Sequence, residues 1–338
     1  MIISLGTVVS SLMSDRLTRR FGSGLVTAVS VAMTAAALFG FSRSGSFAAL
    51  CLLAVPYGLG AGGVDACLNN YVALHYASRH MSWLHCMWGV GAAAGPVIMG
   101  RAITAGLGWP AGYRLISLLQ VGLAAALFLS LPLWKKRDDA GAGKSGKALS
   151  LRQILRIRGV KEVLLCFFCY CAIEQTAGLW AASYLVLADG LTEERAASLA
   201  ALFFAGITAG RALNGFLTFR FDDKTLIRLG CAVILLGVVC VPLGAGAAMA
   251  GFVLVGLGCA PIYPCVIHST PAHFGAERSQ AVIGVQMAAA YVGTCSMPPL
   301  FGLLARLIGV RLLPLYLLAL LLLMVLMYER LLKKTAPR

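Results

Sequence analysis

Charged side chains are scarce in this chain. Asp, Glu, Lys and Arg make up 12% of its 338 residues, whereas about 25% is typical of soluble globular proteins. The mean hydropathy is +0.85 over the full length, which excludes a soluble protein with a single membrane anchor. The net charge of +15 does not indicate a nucleic-acid-binding protein, because the cations lie in short loops between apolar segments rather than along one polar face.

The patterns that carry enzyme or metal chemistry are also lacking. No His/Glu pair has zinc spacing, and His268 and His273 are poorly placed for a shared metal. The run GVGAAAGP at 89–96 is not a phosphate loop, because no Lys–Ser/Thr follows it. The eleven Cys residues lie mostly in apolar runs, which predicts buried thiols rather than disulfides or thiolate ligands. We expect neither an enzyme nor a bound cofactor or metal.

Apolar segments long enough to cross a bilayer, which takes roughly 20 residues as a helix, fill most of the chain. Four precede a basic segment and six follow it, at 24–41, 47–71, 82–105, 114–134, 162–187, 195–219, 226–245, 249–268, 281–304 and 311–332. The pattern predicts an all-α, multi-pass membrane protein.

The basic segment is residues 134–161, which hold nine of the 28 Lys and Arg residues together with Gly and Ser. We interpret it as a cytoplasmic linker between two helical bundles, 1–133 and 162–332, followed by a cytoplasmic tail, 333–338. With the linker inside, 22 cations fall on the cytoplasmic side and six outside. This bias is the one that orients membrane proteins, and we expect a multi-pass protein of the cell membrane with the linker and the C-terminus in the cytoplasm.

The first 13 residues are apolar and lead into the basic run SDRLTRRFG, which we interpret as a turn. As a helix they would reach about 20 Å, short of a hydrocarbon core about 30 Å thick. This favours the end of an incomplete helix. A signal peptide is the alternative, although no basic region precedes the apolar run.

The two sides of the linker repeat each other. One motif recurs at an offset of 204 and an unrelated one at 202, pairing Gly6, Arg16 and Arg20 with Gly210, Arg220 and Lys224, and Gly91, Pro96 and Gly100 with Gly293, Pro298 and Gly302. Repeated halves around a site at mid-membrane are typical of secondary transporters. The first half is shorter by about one helix and its loop, which predicts about 11 membrane helices, a twelve-helix plan without its first helix.

Several motifs resemble the major facilitator superfamily. SDRLTRRFG at 14–22 is similar to the superfamily's loop between its second and third helices, and GRALNGFLTFRFDDK at 210–224 to the equivalent loop of the second half. GLGAGGVDACLNNY, SWLHCMWGVGAAAGP and GLGCAPIYPCVIHSTP, starting at residues 58, 82 and 256, resemble the fucose-permease branch. The resemblance implies a two-bundle transporter and proton-coupled sugar symport. The acidic residue of that branch's first helix has no counterpart here.

Two carboxylates, Asp65 and Glu174, lie well inside the apolar spans. Leaving a carboxylate in hydrocarbon costs about 2.5–3.5 kcal/mol on insertion scales, so such residues normally face a cavity and bind or relay something. We interpret both as candidates for proton coupling. The alternative is a structural acid held by a neighbouring hydroxyl or amide.

Polar and aromatic residues inside the spans are the candidates for solute binding. His85 and Trp88 share one helix face, and an indole beside a polar ring suits a sugar. Tyr263 lies between two prolines, which favours a kinked helix facing a cavity. The full set is Asn69, His85, Trp88, Trp180, Tyr263, Gln286 and Tyr291. Anchoring at the membrane interface and hydrogen bonds between helices are the alternatives.

Basic residues at the cytoplasmic helix ends are the gating candidates, namely Arg16, Arg20, Arg211 and Arg220. For Arg211 we expect snorkelling to the interface or a lock of the inner gate rather than solute binding. The run 91–96 resembles an antiporter signature, but we favour plain helix packing through its small residues.

The leading hypothesis is a secondary transporter that moves a small polar solute such as a sugar by alternating access, with proton coupling. Its expected partners are the lipid bilayer, the solute and protons, without nucleic acid, and we expect a monomer. A drug or metabolite exporter on the same fold is the alternative. An inactive fragment or a ligand-sensing membrane protein without the first helix is a third hypothesis.

Overall fold

The computed structural model describes residues 1–141 and 148–336, and the regular structure in these residues is helical. Two short 3₁₀ helices, Val241–Leu243 and Val310–Leu312, interrupt the α-helices. The α-helices are α1 (Ile2–Phe21), α2 (Ser23–Arg43), α3 (Phe47–His75), α4 (Ser78–Thr104), α5 (Gly108–Gly141), α6 (Leu151–Ile154), α7 (Val160–Leu187), α8 (Glu193–Leu217), α9 (Asp223–Cys240), α10 (Ala245–Phe274), α11 (Ala276–Leu307) and α12 (Leu313–Thr335).

Ten helices in the described part of the chain are long and apolar enough to cross a membrane, α2 to α5 and α7 to α12. Each corresponds to one of the ten segments found in the sequence, so the all-α membrane fold is confirmed. Helix α1 has 20 residues and is not among the ten, because its last seven residues include the charged side chains of Asp15, Arg16, Arg19 and Arg20.

The basic run 14–22 was predicted as a turn, and this prediction is wrong. Helix α1 continues through it to Phe21, and the chain turns only at Gly22, whose φ of 80° favours glycine. Local side-chain bonds explain the extra turns of helix. Arg19 Nε donates to Asp15 Oδ1 at 2.9 Å across one turn, and Thr18 Oγ1 donates to the carbonyl of Ser14 at 2.8 Å.

The segment predicted as a linker contains helical structure at both ends. Helix α5 runs into it as far as Gly141, and residues 142–147 lie outside the described residues. Near its other end, Ser150 and Gln153 form a capping box at the start of the short helix α6, which satisfies backbone donors that the helix leaves open.

The helices form two compact units that do not coincide with the two sequence halves. Unit 1 contains residues 1–75, 90–155 and 274–288, and unit 2 contains residues 76–89, 156–273 and 289–338. The first part of α4 therefore belongs to unit 2, and the first part of α11 belongs to unit 1. The bundle boundaries at 133 and 162 stay a prediction.

Glycines let α1 and α3 approach closely in unit 1. A Cβ atom added to Gly58 would meet the carbonyl of Ile3, and one added to Gly62 would meet the carbonyl of Thr7. Ser11 Oγ donates to the carbonyl of Gly62 at 3.4 Å. Small residues are the usual means of close helix packing in membranes.

The first part of α11 adds polar contacts to this unit. Gln280 Nε2 donates to Ser14 Oγ at 3.2 Å and to the carbonyl of Ala66 at 3.3 Å. Ser279 Oγ donates to Asn70 Oδ1 at 2.6 Å. These bonds tie α11 to α1 and α3.

The packing role favoured for the run 91–96 is wrong for the described residues. A Cβ atom added to Gly91 or Gly95 meets nothing within 4 Å. The counterpart glycines in α11 are covered by α7, since Gly293 lies against the Phe168 carbonyl and Gly302 against the Trp180 ring.

We predict opposite effects for two Gly→Ala substitutions. Gly62→Ala should destabilise the protein by about 1–3 kcal/mol, because the new methyl group meets backbone atoms of Thr7. Gly91→Ala should be neutral or stabilising by up to about 1 kcal/mol. The methyl group meets open space in the folded protein, and it reduces the backbone entropy of the unfolded chain. Thermal unfolding in detergent would compare them, and equal losses would contradict this packing.

A second prediction concerns the start of α9, where Asp222 Oδ1 accepts the Thr225 N–H at 2.9 Å. Asp222→Ala should lower stability by about 1 kcal/mol through loss of the cap, whereas Asp222→Asn should largely keep it. Hydrogen bonds from Thr225 hold the pKa of Asp222 below its usual range. The stability that ionised Asp222 contributes is therefore fully present above its unfolded-state pKa, near 3.9. It is lost as the pH falls through the pKa of the folded state.

Unfolding temperatures at pH 7 and near pH 3 would check this second prediction. The difference between wild type and Asp222→Ala should shrink at the lower pH. A constant difference would mean that the cap does not depend on the charge.

Candidate functional site

A buried ion pair joins α7 to α8 in unit 2. Arg211 Nη2 lies 3.1 Å from Glu174 Oε2, and the two residues are 2% and 7% exposed. Tyr170 lies one turn before Glu174 on α7, and its hydroxyl donates to the same carboxylate oxygen. Because charges inside membrane spans are rare and normally mark functional sites, this pair is the centre of the candidate site.

Gly210, the residue before Arg211, determines how closely α8 approaches α10 at this ion pair. A Cβ atom added to Gly210 would lie 2.6 Å from the Cβ of Ala260 on α10. The absence of a side chain at this point lets α8 approach α10, and Arg211 is directed into the interior of unit 2, where its side chain is buried.

Aromatic rings surround the guanidinium group. Its Cζ atom lies 5.1 Å from the centroid of Trp88 and 5.9 Å from that of Tyr263, distances at which a cation is attracted by a ring face. The His85 ring lies 4.4 Å from the Tyr263 ring. Trp88 is 49% exposed, so the site combines a buried charge pair with an accessible indole.

Two polar contacts one turn apart are among those that join the first part of α4 to α8. Asn214 Nδ2 donates to Ser82 Oγ at 2.8 Å, and Arg211 Nη1 reaches the carbonyl of His85 at 3.5 Å. Arg211 and Asn214 are three residues apart and lie on one face of α8, as Ser82 and His85 do on α4. The ion pair and the α4–α8 contact therefore share the same helix face.

Unit 2 brings together five of the residues singled out in the sequence: His85, Trp88, Glu174, Arg211 and Tyr263. Arg211 does not snorkel, since it is almost fully buried. Sequence reasoning missed its pairing with Glu174 and the part played by Asn214. A charge-balance argument was available, because a carboxylate inside a span needs a cation and Arg211 is a cation inside a span of the same half.

The other candidates make contacts within their own units. Asn69 Nδ2 donates to Asp65 Oδ1 at 2.8 Å within α3 of unit 1, where Gln286 is fully buried. Trp180 Nε1 donates to the carbonyl of Pro298 at 3.2 Å, which indicates a packing role. Tyr291 is half-buried in unit 2.

The remaining gating candidates, Arg16, Arg20 and Arg220, are all exposed. Arg20 lies over the ring of Phe21 at 5.2 Å. None of the three is brought into the buried cluster of unit 2.

The sequence model of the Major Facilitator Superfamily matches residues 1–254 of the chain. The chain belongs to the major facilitator superfamily. Its fold agrees, because the crystal structure of the E. coli fucose:proton symporter superposes with a TM-score of 0.75 at 14% identity, over 96% of this chain and 90% of that chain. As a superfamily member, the protein is a multi-pass membrane protein, and family and fold support secondary transport.

The chain is also similar in sequence to two proteins whose names state no transported solute. An uncharacterized transporter of Sinorhizobium fredii is 25% identical over 320 residues, 92% of this chain and 82% of that protein. Bypass of stop codon protein 6 of Saccharomyces cerevisiae is 24% identical over 245 residues, 65% of this chain. The chain spans about half the length of the yeast relative, 49%.

We predict that the Glu174–Arg211 pair is strongly coupled in stability. Arg211→Gln alone should cost about 3–5 kcal/mol, because it leaves a buried carboxylate without its cation. Adding Glu174→Gln should recover much of that loss, because no charge then remains buried. Thermal unfolding of the wild type, both single variants and the double variant would measure the coupling. Additive losses would contradict a direct ion pair.

Proposed function

We propose that this superfamily member is a proton-coupled transporter of a small polar solute that works by alternating access. The observation that carries the proposal is the buried Glu174–Arg211 pair beside the accessible Trp88. The E. coli fucose:proton symporter, which shares the fold, is a proton-coupled protein by its description. We place the protein in the cell membrane as a monomer, with the linker and the C-terminus in the cytoplasm.

Glu174 is the proposed proton carrier. Its Oε2 atom accepts from both Tyr170 and Arg211, so the charged form is held by two donors. Protonation of this oxygen removes the charge that attracts Arg211 and weakens the link between α7 and α8. Asp65, which accepts a hydrogen bond from Asn69, is the second proposed proton site.

Trp88, His85 and Tyr263 are the proposed solute contacts. An indole face packs against the apolar face of a sugar, and nearby imidazole and phenol groups exchange hydrogen bonds with hydroxyl groups. The three rings are within contact distance of Arg211 or of each other. Asn69, Gln286 and Tyr291 stay predicted contacts, whereas the packing of Trp180 against Pro298 favours a structural role.

The first parts of α4 and α11 carry the proposed gating contacts. Ser82 accepts from Asn214 of α8, and Gln280 donates to Ser14 of α1. Each contact joins a helix of one sequence half to a helix of the other, and single hydrogen bonds of this kind are worth only about 0.5–1.5 kcal/mol each. They are therefore weak enough to break in a transport cycle. Arg211, at the side of the first contact, and the exposed Arg16, Arg20 and Arg220 are the proposed gating cations.

An exporter that exchanges its solute for protons is the second candidate. The run 91–96, which is similar to an antiporter signature, favours it, and the open space beside Gly91 and Gly95 leaves this face free of packing neighbours in the described residues. The same proton site would serve either direction of transport.

We predict that Glu174→Gln separates coupling from solute passage. In proteoliposomes screened with labelled hexoses, pentoses and small organic acids, the wild type should accumulate a solute under a pH gradient. Glu174→Gln should lose gradient-driven accumulation at least ten-fold while it retains solute exchange without a gradient, because the variant cannot gain or lose the proton.

The controls for this experiment are Asp65→Asn and Asp222→Asn. Asp65→Asn tests the second proposed proton site, and Asp222→Asn lies at the exposed start of α9 and should behave as wild type. Unchanged accumulation by Glu174→Gln would remove Glu174 from the coupling role.

A further inference from the structure

We propose that the solute bound beside Trp88 carries a carboxylate group and that Arg211 binds it when Glu174 takes up a proton. The proton passes from water to Glu174 Oε2, and the solute carboxylate replaces Glu174 as the partner of the guanidinium group. Both leave on the other side of the membrane. The inference rests on the proposed function, because it assigns the chemical class of solute for the same site.

Arg211 does not use all of its hydrogen-bond donors. A guanidinium group has five N–H donors, and the Nε atom of Arg211 is buried without a hydrogen-bond partner in the described part of the chain. Its Nη1 atom reaches only the His85 carbonyl, at 3.5 Å. A buried donor that is left unsatisfied costs free energy, so a ligand that accepts a hydrogen bond from Nε would be stabilised.

The geometry of the ion pair supports the same conclusion. Glu174 contacts Arg211 through a single oxygen at 3.1 Å. The exposed pair of Arg228 and Glu329 is instead bidentate, with Nε–Oε1 and Nη2–Oε2 both at 2.7 Å. Arginine prefers the bidentate arrangement with carboxylates. The buried pair therefore leaves the Nε donor of Arg211 available to an acceptor on a second anion, and Nη2 joins it once Glu174 is displaced.

Charge balance decides between an anionic and a neutral solute. The titratable groups facing Arg211 are Glu174 and Tyr170 on α7, Tyr263 and Cys259 on α10 and His85 on α4. Of these described groups, only Glu174 is an acid that is ordinarily charged at neutral pH. Once it is protonated, the cation stands alone inside a membrane span, which is strongly unfavourable. A neutral sugar leaves this charge in place, whereas a carboxylate neutralises it.

The aromatic rings favour a small carboxylate with an apolar face. Trp88 and Tyr263 lie beside the guanidinium group, and Trp88 is exposed enough for a solute to stack on it. A solute whose carboxylate is bound by Arg211 would have these rings beside it. Sugar acids and small hydroxy acids have this form.

Chemical rescue tests the inference without knowledge of the natural solute. In Glu174→Gln the guanidinium group has lost its anion, so sodium acetate should raise the unfolding temperature of the full-length variant in a saturable way. Acetamide, a neutral molecule of the same shape, should not, and sodium chloride controls for ionic strength. The double variant Glu174→Gln/Arg211→Gln should bind acetate at least ten-fold more weakly. Equal effects of acetate and acetamide, or equal rescue of the double variant, would overturn the inference.

A second measurement separates this inference from the proposed function. Wild-type proteoliposomes that contain a pH dye are given matched pairs, D-glucuronate with D-glucose and D-galacturonate with D-galactose. Proton uptake driven by a neutral sugar and abolished by Glu174→Gln would support the proposed function and refute the carboxylate inference. Acetate rescue together with unchanged proton coupling in Glu174→Gln would support the anion site and refute the coupling role. Preference for the acids, lost in Arg211→Gln, would support both.

Discussion

Charge inside the membrane is the constraint on which this structure depends. The apolar surfaces of the helices are similar to each other and to lipid, so they give little preference for one rotation of a helix over another. Glu174 and Arg211 do give such a preference, since each alone would be strongly unfavourable in hydrocarbon and together they form a 3.1 Å pair. The pair fixes which faces of α7 and α8 meet, and the hydroxyl of Tyr170 completes it.

The number and placement of the helices could be predicted because they depend on local properties. Ten long apolar segments can satisfy their backbone groups in lipid only as helices, and all ten are present. The end of α1 was missed for an equally local reason. The basic run was interpreted from its charge, but the Asp15–Arg19 and Ser14–Thr18 bonds extend the helix to Phe21.

The members of the candidate site could be recognised singly but not as a group. His85, Trp88, Glu174 and Tyr263 attract attention because polar and aromatic side chains are unusual inside apolar spans. Their meeting depends on how α4, α7, α8 and α10 cross, which no sequence spacing contains. Snorkelling, one of the two expectations for Arg211, is wrong because the missing side chain at Gly210 lets α8 approach α10, and the cation is buried. The glycines at 91–95 show the converse case, since small residues favour packing only where a partner helix is present.

The Glu174–Arg211 pair lies on the face of α8 that also contacts α4, a helix of the other sequence half. Arg211 and Asn214 lie one turn apart on the same face of α8, and they contact His85 and Ser82 on the same face of α4. A change in the partner of Arg211 therefore acts on a residue that is itself part of the α4–α8 contact. The α4–α8 contact also includes the Trp83 and Phe216 rings, whose centroids are 5.7 Å apart, and the Cys86 thiol, which donates to the carbonyl of Thr208 at 3.6 Å. The buried charge pair and the α4–α8 contact thus meet at one residue, Arg211, and through it a proton and a solute at the proposed site would act on that contact.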